Sequence, residues 1–484
     1  MNKTIEELHE LLKSGKVTPE KLVKDAKDKA LDVQDKYNAF VTILDNPKVT
    51  EVSDDLLSGI PFGVKDNYST KDILSTASSK TLKDYVPIFN ATSIENLLNH
   101  GAIIASKTAM DEFGMGGSGI TAATGIQKNP WDTSRIAGGS SSGSAIAVAT
   151  GVYPYALGSD TGDSIRKPAA FCGIVGYKPT YGMISRYGLF PFASSLDTCG
   201  CLTRSVKDAA IVVDAMKGQD EKDLTSWDSS KINLYKSLDG NVKGKKMFYI
   251  KELLDINNYP DADEMLKKHF ANFFKTIDKL KEIGITVDEV SIDKNILSGI
   301  PSVYTCISCG EATSNMSNLT GIIFGPRSNK DNYKDMMKDY RSKGFSPLIK
   351  RRFIIGSYVL QKENQEKYFV NAQRLRRLIV DKVKEQFKKY DAYISPVSSG
   401  IAPKLSEIKN SSVNDFKQVL EDHLQIANFG GFPSITIPNG FIDKMPVGVN
   451  ITGNCYDDAN VLNIAYALES QMNYKNMIVG DKDE

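Results

Sequence analysis

Cysteine and histidine are scarce in this sequence, and charge of neither sign is in excess. Six cysteines in 484 residues are too few for the disulfide framework of a small secreted domain. The 60 basic and 59 acidic side chains give a formal net charge of +1. Proteins that hold nucleic acid on their own usually carry a basic excess, because phosphate neutralisation dominates that affinity. The balance argues against direct nucleic-acid binding, although a subunit that leaves nucleic acid to a partner has the same balance.

Long apolar runs are also missing. The longest, from Ala145 to Val152, is much shorter than a bilayer span and is interrupted by Thr150 and Gly151. Residues 1–16 have the pattern of an amphipathic helix and lack the apolar core of a signal peptide. We therefore expect no association with a membrane and a cytoplasmic location.

The cysteine spacings do not predict a metal site. Cys306 and Cys309 have the spacing of zinc and redox sites, but a zinc site needs a second matching pair. Cys199 and Cys201 are spaced differently and have no histidine close by. We interpret these residues as ordinary buried thiols and predict no metal.

The four histidines limit the kind of nucleophilic catalysis that the chain can support. Gly139 to Gly143 matches the serine elbow of α/β-hydrolases around Ser141, but that motif needs a strand before the serine and, further on, an acid and then a histidine. Residues 128–135, which precede it, have the composition of a loop. His9 and His269 lie in charged amphipathic patterns and are predicted to be solvated. A Ser-His-Asp triad is therefore disfavoured.

Helix and strand patterns alternate along the chain without an internal repeat. Helices are predicted from Pro19 to about Tyr37 and from Val206 to Met216. A buried strand is predicted at 102–106, and another strand is predicted to start at 155–157. This alternation predicts an α/β sheet with crossover helices, which at this length must be large if it forms one core. Residues from about 300 to 389 are almost entirely helical and polar in pattern, which predicts a helical cap or insertion.

A glycine-rich run from Gly114 to Gly119 matches the dinucleotide fingerprint by letter only. That fingerprint must follow a strand and open a helix, and the residues after Gly119 have the pattern of a further loop. No Walker-type phosphate loop is present. We predict no nucleotide site from this run.

The informative pattern is the glycine- and serine-rich stretch from Gly138 to Arg166. It begins with GGSSSGS and ends, after a small-residue helix and a strand, with GSDTGDSIR. With Gly63-Val-Lys65-Asp66 upstream and Ser194-Ser-Leu-Asp197 downstream, it closely resembles the amidase signature family, and weaker similarity covers essentially the whole chain. The resemblance implies one amidase domain over 1–484: a single large mixed sheet surrounded by helices, with the helical insertion at about 300–389.

The resemblance also implies roles for individual residues. Ser164 falls where the family places its acylated nucleophile, Ser140 where it places a bridging serine on a cis peptide bond, and Lys65 where it places a lysine base. Lysine acts as a base only when neutral, and the apolar residues around Lys65 fit the burial that favours the neutral form. The backbone N–H groups of Thr161, Gly162 and Asp163 are expected to bind the oxyanion, together with the N–H of Ser164.

Asp163 departs from the Gly-Gly-Ser pattern of the family. Asp tolerates the positive φ that glycine allows, but a carboxylate beside an oxyanion is unfavourable unless it points away or is paired. Arg166 and Lys167 are the candidate partners. We predict that Asp163 is structural and that activity survives.

Further stretches resemble the glutamine-hydrolysing subunits of tRNA-dependent amidotransferases. They are IEEL from Ile5, YGMISRYGL from Tyr181, EATSNM from Glu311, KRRFIIG from Lys350 and IANFGGFP from Ile426. This resemblance implies that the chain hydrolyses glutamine and supplies ammonia to partner subunits B and C in a hetero-oligomer. The partners would bind tRNA and use ATP and Mg²⁺ to amidate Glu-tRNA(Gln), Asp-tRNA(Asn) or both, and no cofactor is expected in this chain.

A glutamine pocket needs a cation for the α-carboxylate and an anion for the α-ammonium group. The resemblance assigns the first role to Arg351 or Arg352 and the second to Glu421 or Asp422, with the register open by one residue in each case. Tyr304 is a further candidate for the pocket wall. Two alternatives remain open: a free-standing amidase that acts on small or acyl amides, and a catalytically impaired scaffold in which Asp163 has spoiled the oxyanion site.

Overall fold

The computed structural model describes residues 1–408 and 416–480, and the described residues form one mixed sheet of eleven strands. The strands are β1 (Phe40–Ile43), β2 (Pro61–Lys65), β3 (Ile103–Thr108), β4 (Tyr155–Asp160), β5 (Val175–Lys178), β6 (Thr198–Thr203), β7 (Lys246–Ile250), β8 (Thr286–Val290), β9 (Ala392–Pro396), β10 (Ser434–Ile442) and β11 (Met445–Thr452). Their order across the sheet is β1-β3-β2-β4-β6-β5-β10-β11-β9-β7-β8. This confirms the predicted α/β class with one large mixed sheet.

Helices surround this sheet. They are α1 (Ile5–Lys13), α2 (Pro19–Tyr37), α3 (Thr92–Asn99), α4 (Ser142–Ala149), α5 (Arg166–Cys172), α6 (Val206–Met216), α7 (Glu264–Glu282), α8 (Lys294–Ser298), α9 (Ile300–Asn315), α10 (Tyr333–Gly344), α11 (Pro347–Leu360), α12 (Lys362–Gln365), α13 (Asn371–Gln386), α14 (Phe416–Asp422), α15 (Gln425–Gly430) and α16 (Asp458–Glu469). Thr18 caps α2 with its side chain, and proline follows at the first helical position, as the sequence predicts. The predicted bounds of α6 are confirmed.

The middle of the sheet explains where the glycine and serine runs go. Strands β2 and β4 run parallel as neighbours, and both are buried along their whole length. The small side chains of α4, all buried, let this helix pack closely on β4, and α5 packs against β5, β10 and β11. A parallel pair ends at one edge of the sheet, so residues after β2 and β4 meet there.

Two sequence-based expectations need comment. His269, predicted to be solvated, is buried on α7, because the helix turns its His269–Phe270–Phe273 side against the sheet. The sequence also predicts a frayed tail over residues 480–484, of which 481–484 lie outside the described residues. Helices α9 to α13 occupy the segment predicted as an insertion, and α9 packs against α11 and α13. Among the described residues, no helix combines the length and apolar character needed to cross a bilayer.

Candidate active site

Lys65 ends β2 in the interior of the protein and points into a group of serines. Its Nζ lies 2.7 Å from Ser140 Oγ, 2.9 Å from Ser141 Oγ and 2.9 Å from Ser159 Oγ. Its side chain is completely buried, and this burial lowers the pKa of Lys65 to about 7, against the weaker opposing effect of the Asp160 and Asp111 carboxylates. No carboxylate among the described residues forms an ion pair with it. Lys65 therefore has the properties of a lysine base near neutral pH.

Asp111 holds the loop that carries Ser140. Its carboxylate accepts hydrogen bonds from the N–H groups of residues 118–121 and from Thr121 Oγ1, and its own N–H donates to Ser140 O at 3.2 Å. A Cβ on Gly139 would lie 2.0 Å from Asp111 Oδ2, so only glycine fits there. The peptide bond between Gly139 and Ser140 is cis, as the resemblance implies. The glycine run at 114–119 thus surrounds a carboxylate of the protein itself.

Ser164 lies in the turn between β4 and α5, buried and close to the same serines. The N–H of Ser141 donates to Ser164 O at 3.1 Å, which ties this turn to the Ser140 loop. A hydrogen bond between Ser140 Oγ and Ser164 Oγ is absent from the contacts of the described residues. The structure therefore contains the Lys65–Ser140 half of the expected relay, and the Ser140–Ser164 half is not formed in it.

The turn from Thr161 to Ser164 presents free backbone N–H groups. None of these four N–H groups donates a hydrogen bond to any residue of the described ranges. Arg166 Nη2 holds the carbonyl of Gly162 at 2.6 Å, and Lys167 N–H holds the carbonyl of Asp163 at 2.9 Å. Because C=O and N–H point to opposite sides of a trans peptide, the N–H groups of Asp163 and Ser164 face away from these contacts. Such an arrangement suits an oxyanion.

Two buried carboxylates brace this turn. Asp160 accepts hydrogen bonds from the Arg166 guanidinium at 3.1 and 3.0 Å, and this charge holds the pKa of Asp160 below its usual value although burial opposes it. Asp197 accepts from Thr161 Oγ1 at 2.6 Å and from the N–H groups of Phe192 and Ala193. Burial raises the pKa of Asp197 to about 6.

Asp163 is paired, and its partner is Lys167 rather than Arg166. Asp163 Oδ2 lies 2.8 Å from Lys167 Nζ, with side chains only 13% and 10% exposed. Arg166 is fully committed to Asp160 and to neighbouring carbonyls. The positive φ considered for this position is not adopted, since neither Gly162 nor Asp163 is among the residues with positive φ. The turn needs no left-handed residue, so aspartate is tolerated on conformational grounds.

The structure separates the two arginine candidates for a substrate carboxylate. Arg351 is exposed, whereas Arg352 is partly buried with its guanidinium 5.4 Å above the Phe192 ring. Arg352 Nε is buried and has no hydrogen-bond partner among the described residues. Tyr304 packs edge-on against the same Phe192 ring and directly over Gly162, where a Cβ would approach the Tyr304 ring to 3.0 Å. Arg352 and Tyr304 thus contact the same Phe192 ring, and Tyr304 also covers Gly162, whereas Arg351 is exposed.

The two acidic candidates end helix α14. Glu421 Oε1 accepts from the N–H of Ser399, and Lys167 Nζ lies 2.9 Å from Glu421 O and 3.5 Å from Glu421 Oε2. Burial would raise the pKa of Glu421, but the charge of Lys167 holds this pKa below its usual value. Asp422 accepts a hydrogen bond from Gln418, and burial raises the pKa of Asp422 to about 6. Both carboxylates are within the electrostatic reach of Lys167, so the structure brings this pair to the Asp163 side of the turn.

Sequence reasoning misses several residues of this site. Ser141 is set aside there as an elbow serine, yet it contacts Lys65 and donates towards Ser159 O at 3.3 Å. The motifs do not single out Ser159, although alternation along β4 places it on one side of the strand with Leu157. Asn428, in the stretch IANFGGFP, hydrogen-bonds both Asp160 and Arg166. The described residues contain no cluster of three or more metal-ligating side chains, and their six cysteines are free thiols.

The chain is similar over nearly its whole length to known proteins of one family. The profile of the Amidase family matches residues 21–462. The chain is 38% identical over 487 residues to the A subunit of glutamyl-tRNA(Gln) amidotransferase from Sulfurihydrogenibium sp. (strain YO3AOP1), covering 98% of both chains. It is 39% identical over 498 residues to the protein of the same name from Enterococcus faecalis, covering 100% of this chain and 99% of the other.

Solved structures give the same result. The crystal structure of the A subunit of glutamyl-tRNA(Gln) amidotransferase from Thermotoga maritima matches with a TM-score of 0.80 and 33% identity, covering 98% of this chain and 96% of that chain. The peptide amidase of Stenotrophomonas maltophilia has the same TM-score at 23% identity, covering 98% and 97% of the two chains, and so shares the fold. The similarity therefore extends over the whole chain in both sequence and fold.

Proposed function

This chain belongs to the amidase family, and on that premise we propose that it is the glutamine-hydrolysing subunit of a tRNA-dependent amidotransferase. One observation carries the chemistry: a completely buried Lys65 whose Nζ contacts Ser140 at 2.7 Å beside the Ser164 turn. Full-length similarity to amidotransferase A subunits, at 38–39% identity, supports glutamine rather than another amide as the substrate.

The proposed reaction begins with proton transfer. Neutral Lys65 accepts the proton of Ser140 Oγ as Ser140 accepts the proton of Ser164 Oγ, and Ser164 attacks the amide carbon of glutamine. The second transfer requires the Ser140–Ser164 hydrogen bond to form when substrate binds, a tightening that is common in active sites. The free N–H groups of 161–164 stabilise the oxyanion. Ammonia leaves with a proton returned through the relay, and water then releases glutamate.

Substrate recognition follows from the charges around the turn. Arg352 offers its unpartnered Nε, and the guanidinium fork is suited to an α-carboxylate. Glu421 and Asp422 lie on the other side of the turn and offer negative charge for the α-ammonium group. Tyr304 covers Gly162 and forms part of the wall. A neutral aliphatic amide lacks both charges, so it gains nothing from either contact.

The proposed assembly is a cytoplasmic hetero-oligomer with amidotransferase subunits B and C. In it this chain supplies ammonia and holds no cofactor, and the partners bind tRNA and use ATP and Mg²⁺. The near-neutral charge of the chain agrees with leaving tRNA to a partner. The acceptor is Glu-tRNA(Gln), Asp-tRNA(Asn) or both, a choice that belongs to the partner.

The test is ammonia release from glutamine by the purified chain, alone and with subunits B and C from the same organism, with and without tRNA and ATP. Glutamine-specific release that the partners, tRNA and ATP increase supports the proposal. Broad hydrolysis of aliphatic amides that no partner changes would instead identify a free-standing amidase. Failure of a fluorophosphonate to label Ser164 would identify an impaired scaffold.

A further inference from the structure

The ion pair between Asp163 and Lys167 sits in an unusual place, inside the anion-binding turn itself. The N–H of Asp163 is one of the four free donors, and its carboxylate extends from the same residue. Lys167 Nζ lies 2.8 Å from Asp163 Oδ2, and both side chains are largely buried. A second contact, the Lys167 N–H to Asp163 O at 2.9 Å, fixes the backbone of the two residues relative to each other.

Lys167 is itself held from the opposite side, by helix α14. Its Nζ donates to Glu421 O at 2.9 Å and lies 3.5 Å from Glu421 Oε2. The ammonium group is therefore placed between two carboxylates that come from different parts of the chain. Removing it would leave the largely buried Asp163 carboxylate and the partly buried Glu421 carboxylate without a counter-charge, which is more costly than the loss of an exposed ion pair.

A negative charge next to the oxyanion would oppose catalysis. The amide oxygen becomes negative in the transition state, where the donors of the turn stabilise it, and an unpaired carboxylate on Asp163 would repel that charge. We propose that Lys167 is a positioning residue that neutralises the Asp163 carboxylate and holds it away from the oxyanion. Asp163 and Lys167 then form one functional unit, in which the lysine is required because the aspartate is present.

This inference rests on the proposed amide hydrolysis at Ser164, and it has an outcome that a merely structural ion pair would not give. If the pair only stabilised the fold, Lys167→Met would lower the free energy of unfolding, and the double variant would regain part of it because the uncompensated charge of Asp163 is also removed. The kcat of the folded protein would then change little in either variant. If Lys167 acts through Asp163, removing the carboxylate makes the lysine dispensable for kcat. The loss caused by a Lys167 variant must therefore be rescued by a second change at Asp163.

The experiment is a double-mutant cycle on the full chain with Lys167→Met, Asp163→Asn and the double variant, plus Lys167→Arg as the charge-conserving control. Ammonia release from glutamine gives kcat and KM separately. We expect Lys167→Met to lower kcat about 100-fold, the scale of losing one oxyanion donor. We expect Asp163→Asn, which keeps the backbone N–H, and Lys167→Arg, which keeps the charge, to lower kcat less than Lys167→Met does. We expect the double variant to exceed Lys167→Met in kcat by at least about tenfold.

Glu421, which is already ionised, also loses its counter-charge in the Lys167 variants, and the effect of its charge on the bound α-ammonium group is read in KM. A double variant no more active than Lys167→Met overturns the proposal, as does full activity of Lys167→Met. If Lys167→Met does not fold, as thermal unfolding would reveal, the comparison moves to Lys167→Gln and its double variant with Asp163→Asn.

If glutamine is not hydrolysed, the double-mutant cycle is measured with a neutral acyl 4-nitroanilide as substrate. This separates failure of the glutaminase assignment from failure of this inference. An unchanged protein inactive on both substrates overturns the inference.

Discussion

The pH dependence of catalysis provides a direct test of Lys65 as the base. Burial lowers the pKa of Lys65 from 10.5 to about 7. Only the neutral amine accepts a proton, so activity must follow the neutral fraction. Since deprotonation increases with pH, kcat/KM should rise as pH passes through 7 and level off above about pH 8.

The size of the effect follows from the two pKa values. At pH 7.5 a lysine with a pKa of about 7 is about 75% neutral, whereas one with the ordinary value is about 0.1% neutral. Burial therefore increases the population of competent base by several hundred-fold. On the acid side the neutral fraction falls to about 10% at pH 6, so kcat/KM should be about tenfold below its plateau there. Lys65→Arg keeps a permanent charge and should be inactive at every pH.

The assay is ammonia release from glutamine between pH 5.5 and 9, at constant ionic strength and with folding checked at each pH. Asp197 and Asp422 also titrate near the site, since burial raises the pKa of each to about 6. Asp197→Asn and Asp422→Asn are the controls, and the rise near pH 7 should remain in both. A flat profile, a rise that only begins above pH 9, or an active Lys65→Arg would refute the assignment of Lys65 as the base.

Three further outcomes are expected. Ser140→Ala should lower kcat by about 10³-fold because it interrupts the relay, whereas Ser141→Ala, which removes only one of several Lys65 contacts, should stay within about tenfold. In steady-state kinetics, Arg352→Gln should raise the KM for glutamine about tenfold or more, because a charged hydrogen bond to the substrate is lost. Arg351→Gln is the matched control, since Arg351 is exposed. Arg166→Met leaves the buried Asp160 carboxylate without a counter-charge and should lower the free energy of unfolding, measured by urea titration, by about 3–5 kcal/mol. A loss below about 1 kcal/mol would show that the buried pair does not stabilise the fold in this way.

Local sequence signals predict the bounds of two helices accurately. A capping threonine followed by proline begins α2 at Pro19, and apolar periodicity gives the bounds of α6. These signals suffice because caps, proline and periodicity act within a few residues. The prediction for His269 is wrong because a charged amphipathic pattern gives the width of the apolar face only approximately. Packing of the helix on the sheet determines which residues at the edge of that face are buried.

The sequence by itself determined the chemistry that is available: a lysine among apolar residues, serines in glycine-rich runs, and the amidase resemblance that orders them. It also identified Asp163 as the departure and named Lys167 among its possible partners. Only the tertiary structure decided which of these groups meet. Lys65 and Ser140 are 75 positions apart, and Lys167 and Glu421 are 254 apart. Such contacts depend on the order of strands in the sheet, and burial, which sets the pKa of Lys65, is a property of the whole packed core.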